Sequence, residues 1–179
     1  MSINLWKTIG IPLVVAARLI LPFFLWKNPL LVWGLIFLVD WFDGDIFRQA
    51  FRYQKNSAYQ LFDKTMDLYG YCFALALSYT SQSLIFGILL FLFLLRATGM
   101  VIFLIKREKK TLALFPNIFE NIFIVYILTL SFPSLNFLLE GNTLYITLLV
   151  LSAATIAREC FLHIKEIQLH EILTGRRWV

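Results

Sequence analysis

Six apolar runs separated by short polar stretches set the plan of this chain. The first spans about Ile9 to Trp26 and ends near Lys27, Asn28 and Pro29. The second starts at about Leu30 and runs into Asp40 and Asp43 at its far end. A polar stretch from Arg48 to Ser57, with Arg52 and Lys55, leads to the third. That run begins at about Tyr59, carries Asp63, Lys64 and Asp67 in its first turns, and ends near Ser81. The fourth runs from about Leu84 to Ile105, where Lys106, Arg107, Glu108, Lys109 and Lys110 close it. The fifth extends from about Leu112 to Phe132, with Pro116 in an early turn and Pro133 ending it. The sixth goes from about Leu144 to Ile164, and a polar tail then carries His170, Arg176 and Arg177. A membrane-crossing helix needs about 20 mostly apolar residues. The pattern therefore predicts an all-α, polytopic membrane protein with six transmembrane helices, built as one domain over residues 1–179. The first run has no small-residue cleavage site and is predicted to stay as a helix rather than to leave as a signal peptide.

Loop charge predicts the orientation. The connections after the second and fourth runs, and the C-terminal tail, are basic. The connection after the third has no charge, the one after the fifth has only Glu140, and the first has just Lys27. Basic loops face the cytoplasm, so both termini and the ends that carry the aspartates are expected there. The membrane expected is the cytoplasmic (inner) membrane of the cell.

Composition agrees with this reading. Of 179 residues, 60% are hydrophobic and 17% aromatic, against about 45–50% apolar in soluble domains. The net charge of +5 comes from residues at run ends, where it sets topology and meets anionic head groups, so no nucleic-acid partner is expected. Cys72 and Cys160 lie inside apolar runs as small hydrophobes, and no Cys/His spacing marks a metal site.

The chemistry is in the acidic positions. Asp40 and Asp43 are three apart, and Asp63 and Asp67 are four apart; both spacings put side chains on one helix face. If the second and third helices are antiparallel neighbours, the four carboxylates converge. Taken singly, each reads as a helix-end carboxylate paired with Arg48, Arg52, Lys55 or Lys64. Taken together, with apolar flanks, they point to hard divalent cations such as Mg²⁺ or Mn²⁺, which take oxygen ligands and relieve like-charge repulsion. Such ions serve phosphate chemistry. Gly44, next to Asp43, permits close approach of a ligand, and Arg48 offers a planar donor to a diphosphate.

The segment Asp40-Trp41-Phe42-Asp43-Gly44-Asp45-Ile46-Phe47-Arg48, followed by Asp63-Lys64-Thr65-Met66-Asp67, resembles the signature of the CDP-alcohol phosphatidyltransferases. That signature reads D-x2-D-G-x2-A-R, a spacer, then G-x3-D-x3-D. Arg18 followed by Pro22 in the first run also resembles the family, more weakly. Two departures stand out. Phe47 replaces the family alanine, and the longer spacer leaves no glycine between Ser57 and Tyr59 where the family has its second one. In the family those small residues make room for the cytidine nucleotide.

The resemblance implies transfer of a phosphatidyl group from a CDP-linked lipid to an alcohol acceptor, with release of CMP, in phospholipid biosynthesis. It implies that Asp40, Asp43 and Asp63 hold Mg²⁺ or Mn²⁺ against the donor diphosphate. Asp67 would touch a second ion and act as the general base. Asp40, Asp43, Gly44 and Arg48 would meet the nucleotide diphosphate, and the protein would be a homodimer among membrane lipids.

Arg18, Lys106, Arg107 and Arg158 are the candidate acceptor contacts, since basic residues near the cytoplasmic face favour a phosphorylated acceptor. Charged residues within apolar runs are functional candidates in general, and Arg96 joins Arg18 and Arg158 on that ground. Glu120, with Asn117 and Asn121, forms a polar patch suited to helix–helix hydrogen bonding or to an acceptor contact. Two other classes fit the residues: a catalytically silent membrane scaffold, which Phe47 favours, and a cation-binding transporter. Acidic groups at one face rather than at mid-membrane speak against the transporter.

Overall fold

The computed structural model describes residues 6–51, 57–80, 84–106, 111 and 114–163; at 48, 49, 51, 57, 58, 60 and 161–163 only the backbone is described. Every regular element among the described residues is helical, with no strand. They fall into two compact units, residues 1–83 and 84–179.

In the first unit, the N-terminal run is a helix in three registers: a π-turn at Trp6–Gly10, α1 at Ile11–Ile20, and a 3-10 turn at Leu21–Phe24. Pro12 and Pro22 mark both changes. A proline ring presses on the carbonyl four residues back and supplies no N–H, so the helix widens before one and tightens at the other. A turn then closes through Lys27 N–H to the Phe24 carbonyl (2.9 Å). Asn28 caps the next helix by accepting the Leu31 N–H (3.0 Å), with Pro29 at the first helical position. This helix, α2, spans Pro29–Phe51 and carries its hydrogen bonding past both aspartates and Gly44 into the stretch predicted to be a polar linker. The third helix, α3, spans Ser57–Thr80. Val14, Val32, Trp33, Tyr71, Ala74 and Leu77 are buried, and Trp33 meets Tyr71 at 6.4 Å between ring centroids. The Phe73 ring takes edge contacts from Phe23 (4.9 Å) and Tyr69 (5.0 Å). The Tyr69 hydroxyl donates to the Leu19 carbonyl (3.0 Å), fixing α3 beside α1 one residue from Arg18.

In the second unit, α4 spans Leu84–Lys106. Its buried residues, Ile85, Leu89, Leu92, Arg96, Gly99, Met100 and Phe103, recur at three- and four-residue steps, the period of one helix face. The fifth helix, α5, spans Ile118–Ser131, shorter than the predicted run from Leu112. Pro116 sits ahead of the helix, not in its first turn. Its carbonyl accepts the Ile118 N–H (2.9 Å), and Asn117 leaves helical geometry. At 14 residues α5 is about 21 Å long, short of the roughly 30 Å apolar bilayer thickness. The C-terminal stop is as predicted: Phe132, preceding Pro133, is extended (φ −132°, ψ 91°). A 3-10 segment at Pro133–Leu139 follows, and α6 spans Gly141–His163. Gly141 opens α6 at φ +50°, a conformation that glycine reaches without steric cost. Phe119 and Phe123, one turn apart on α5, lie parallel at 6.1 Å in the core.

Among the described residues, three helices are long and apolar enough to cross a membrane: Trp6–Phe24, Leu84–Lys106 and Gly141–Cys160. Their outward faces stay greasy. Leu84, Phe91 and Ile105 on α4, and Tyr145, Leu149 and Val150 on α6, are exposed. Apolar surface on this scale is covered by lipid or a partner in a stable protein.

Candidate functional site

Two helices of the first unit supply the carboxylates, and a third supplies their counter-ion. On α2, Asp40, Asp43 and Phe47 follow three- and four-residue steps, so they share a face. On α3, Tyr59, Asp63 and Asp67 do the same at four-residue steps. Arg18 projects from α1 between them. Its guanidinium is an ion-pair partner of all four aspartates: Nη1 donates to Asp43 (2.6 Å) and Asp63 (3.3 Å), and Nη2 to Asp67 (2.9 Å) and Asp40. Lys64 adds a second cation, 2.6 Å from Asp63 and 2.9 Å from Asp67.

Burial makes this arrangement consequential. The side chains of Arg18 and Asp43 are 4% and 0% exposed, while Asp40 keeps 39%. Charges removed from water are tolerated only when paired and hydrogen-bonded, and each aspartate meets that condition through Arg18. The cluster is thus open on the Asp40 side and closed around Asp43.

The second oxygen of Asp43 accepts the Tyr59 hydroxyl (2.6 Å), whereas the second oxygens of Asp63 and Asp67 face Lys64. Asp40, Asp63 and Asp67 each present one carboxylate oxygen, and these three lie within 4.8 Å of one another. The geometry therefore groups three aspartates as a metal-capable set, where the sequence groups four. Behind Asp43, the Tyr59 ring meets Phe47 at 5.0 Å, and Phe47 meets Phe62 at 5.2 Å. Gly44 lies beneath Tyr59: a Cβ there would stand 3.1 Å from the phenol oxygen.

The other sequence candidates are distributed differently. Arg48 lies on α2 with its side chain outside the described residues, and Arg107 lies outside them altogether. Lys106 and Arg158 belong to the second unit. Lys106 is exposed at the end of α4, and Arg158 pairs with Glu159 at 3.3 Å. Arg96, 3% exposed, donates to the Phe115 carbonyl (2.7 Å), holding the segment before α5 against α4. In the polar patch of α5, Asn117 donates to Glu120 (2.7 Å), and Asn121 donates to Thr155 of α6 (2.6 Å), a helix-to-helix bond.

Two features exceed what the sequence predicts. Arg18, read as an acceptor contact, is the hub of the acidic cluster. Tyr59, read only as a bulky replacement for glycine, is a hydrogen-bond donor to Asp43. Its position four residues before Asp63 is the signal that places it on the site's face.

No protein-family model, no curated protein and no solved structure matches this chain.

Proposed function

We propose that the chain is a membrane-embedded phosphatidyltransferase that uses a CDP-activated lipid, a divalent cation and an alcohol acceptor, releasing CMP. The observation that supports this most is the convergence of Asp40, Asp43, Asp63 and Asp67, the signature aspartates, on one guanidinium. Six crossings with both termini cytoplasmic complete the reading, and put the cluster on the side where nucleotide-activated substrates are found.

The donor set fits a hard cation. Mg²⁺ holds oxygens at about 2.0–2.1 Å, which places neighbouring ligands roughly 3–4 Å apart. Oxygens of Asp40, Asp63 and Asp67 within 4.8 Å need little movement to reach that spacing. The Arg18 guanidinium already stands among them as a positive group, so the place suits a cation. When bound, Mg²⁺ or Mn²⁺ supplies neutralisation of diphosphate charge as the phosphorus–oxygen bond to the leaving nucleotide lengthens.

The chain's own residues supply the rest. Arg18 offers planar donors that can turn from carboxylate to phosphate. Asp67 faces Arg18 through one oxygen and Lys64 through the other. As those cations engage the substrate, an Asp67 oxygen becomes available to take the proton of the acceptor hydroxyl, which then attacks the lipid-side phosphorus. Holding the two substrates in line carries much of the rate gain.

A second reading is favoured by one observation. The Tyr59 hydroxyl on Asp43 and the Phe47 ring beside it occupy the face on which the family keeps small residues. A silent scaffold would show this too. Purified protein with CDP-diacylglycerol, Mg²⁺ and a panel of alcohols separates the two: CMP release supports transfer, and its absence with every acceptor supports the scaffold.

A further inference from the structure

The helix Trp6–Phe24, long and apolar enough to cross a membrane, ends at a turn whose exposed side chains are neither wholly apolar nor wholly polar. Phe23 is 63% exposed and Trp26 46%, and Phe24 and Lys27 beside them are exposed as well. The Lys27 ammonium stands over the Phe24 ring, 5.5 Å from its centroid, within reach of the negative face of the ring. The corner is held from inside the first unit. Phe73 of α3 takes edge contacts from Phe23 (4.9 Å) and Trp26 (6.0 Å), and the Asn28 side-chain oxygen accepts the Leu31 N–H. Here α3 runs in step with α1: Tyr69 meets Leu19, and Phe73 meets Phe23, four residues later on both. Tyr79, 66% exposed, lies six residues beyond Phe73, roughly 9 Å further along α3.

We propose that this corner is a lipid head-group anchor: Phe23 and Phe24 sit against acyl chains, Trp26 and Tyr79 lie in the head-group layer, and Lys27 contacts lipid phosphate. The residue types fit those depths. Tryptophan and tyrosine collect at membrane–water interfaces because each joins an apolar ring to a polar N–H or O–H. A lysine at a helix end lays its stem along apolar surface and reaches outward with its charge. Phenylalanine has no polar atom, so the exposed rings of Phe23 and Phe24 belong on the chain side. The polar layer on each side of a bilayer is about 5–8 Å deep, half the difference between ~40–45 Å overall and ~30 Å of hydrocarbon. That depth matches the step from the Phe73 level to Tyr79. Water is the wrong solvent for this surface, since it would leave two phenyl rings and an indole hydrated. Lipid is the occupant because the corner continues the exposed apolar face of the same helix, Leu13, Leu19 and Ile20.

The test uses the full-length protein in vesicles of phosphatidylcholine and phosphatidylglycerol that carry a nitroxide either on the head group or at the chain centre. Tryptophan emission is measured in wild type and in Trp26→Phe, and the difference is the emission of Trp26. The expected Trp26 signal is quenched about twofold or more by the head-group label relative to the chain-centre label. Lys27→Leu removes the charge and keeps an apolar stem. Measured against the Lys27→Leu, Trp26→Phe double variant, its Trp26 is expected to sink, with the head-group preference lost. Both substitutions are at exposed positions, so helical circular dichroism is expected to stay that of wild type. Stronger quenching of wild-type Trp26 by the chain-centre label would place it in hydrocarbon. Quenching by neither label would place it in water or against a protein partner. An unchanged preference in Lys27→Leu would remove the phosphate contact. Any of these three results overturns the proposal. The anchor is independent of the transferase reading, and CMP release bears on that reading alone.

Discussion

Arg18 is the residue on which the first unit's electrostatics turn. Four aspartates from two helices point at one guanidinium with 4% exposure. Removing one partner of a buried ion pair typically costs about 3–5 kcal/mol, because the remaining charge stays desolvated. Arg18→Ala is therefore expected to lower unfolding stability by about that amount in detergent, with millimolar Mg²⁺ recovering part of the loss. An unchanged unfolding midpoint would show that the aspartates do not depend on Arg18. Asp67→Asn, which keeps the shape and removes the charge, is expected to abolish CMP release with the helical circular dichroism intact; wild-type turnover would remove Asp67 from the role of base. The aspartates were legible in the sequence because i,i+3 and i,i+4 spacing is local information. The Arg18 contacts span 22 to 49 residues, and no local pattern carries a pairing of that range. Tyr59 is an intermediate case: its register with Asp63 is visible in the sequence, while its partner on α2 is not.

At the scale of elements, prolines explain most differences between pattern and structure. Hydropathy alone cannot distinguish an apolar helix from an apolar stretch leading into one, so the fifth run reads as starting at Leu112 whereas α5 starts at Ile118. Pro116 and the Arg96 bond to the Phe115 carbonyl shape the approach instead. Gly99 is part of the same junction. A Cβ at Gly99 would stand 2.3 Å from the Phe115 Cβ, closer than side chains can come. Overpacking of this kind typically costs about 1–3 kcal/mol, and Gly99→Ala is expected to lose that much stability. Normal stability of that variant would mean the 114–117 segment is free to move off α4. The stop at Pro133 was readable because the restriction acts on the residue immediately before it. The 3-10 segment after it, Pro133–Leu139, was not, since short apolar stretches carry no distinguishing period.

At the scale of the molecule, three helices among the described residues meet the length and apolarity needed to cross a bilayer, while α2 and α3, of similar length, carry the acidic cluster. The four aspartates lie inside these helices rather than at their ends, and charged groups there are tolerated when they face protein partners, which Arg18 and Lys64 provide here. The proposed topology has a direct consequence. A reporter active only in the cytoplasm should be active when fused to the C-terminus and inactive when inserted between residues 133 and 140. Activity at both places would exclude an odd number of crossings between them and with it the six-span arrangement.

The most direct measurement of the central proposal is CMP release by purified wild-type protein supplied with CDP-diacylglycerol, Mg²⁺ and a panel of alcohols, run beside Asp67→Asn. Mg²⁺-dependent CMP release with at least one acceptor, lost on chelation and in Asp67→Asn, is the expected result. No CMP with any acceptor, together with no nucleotide-dependent thermal shift, would contradict it.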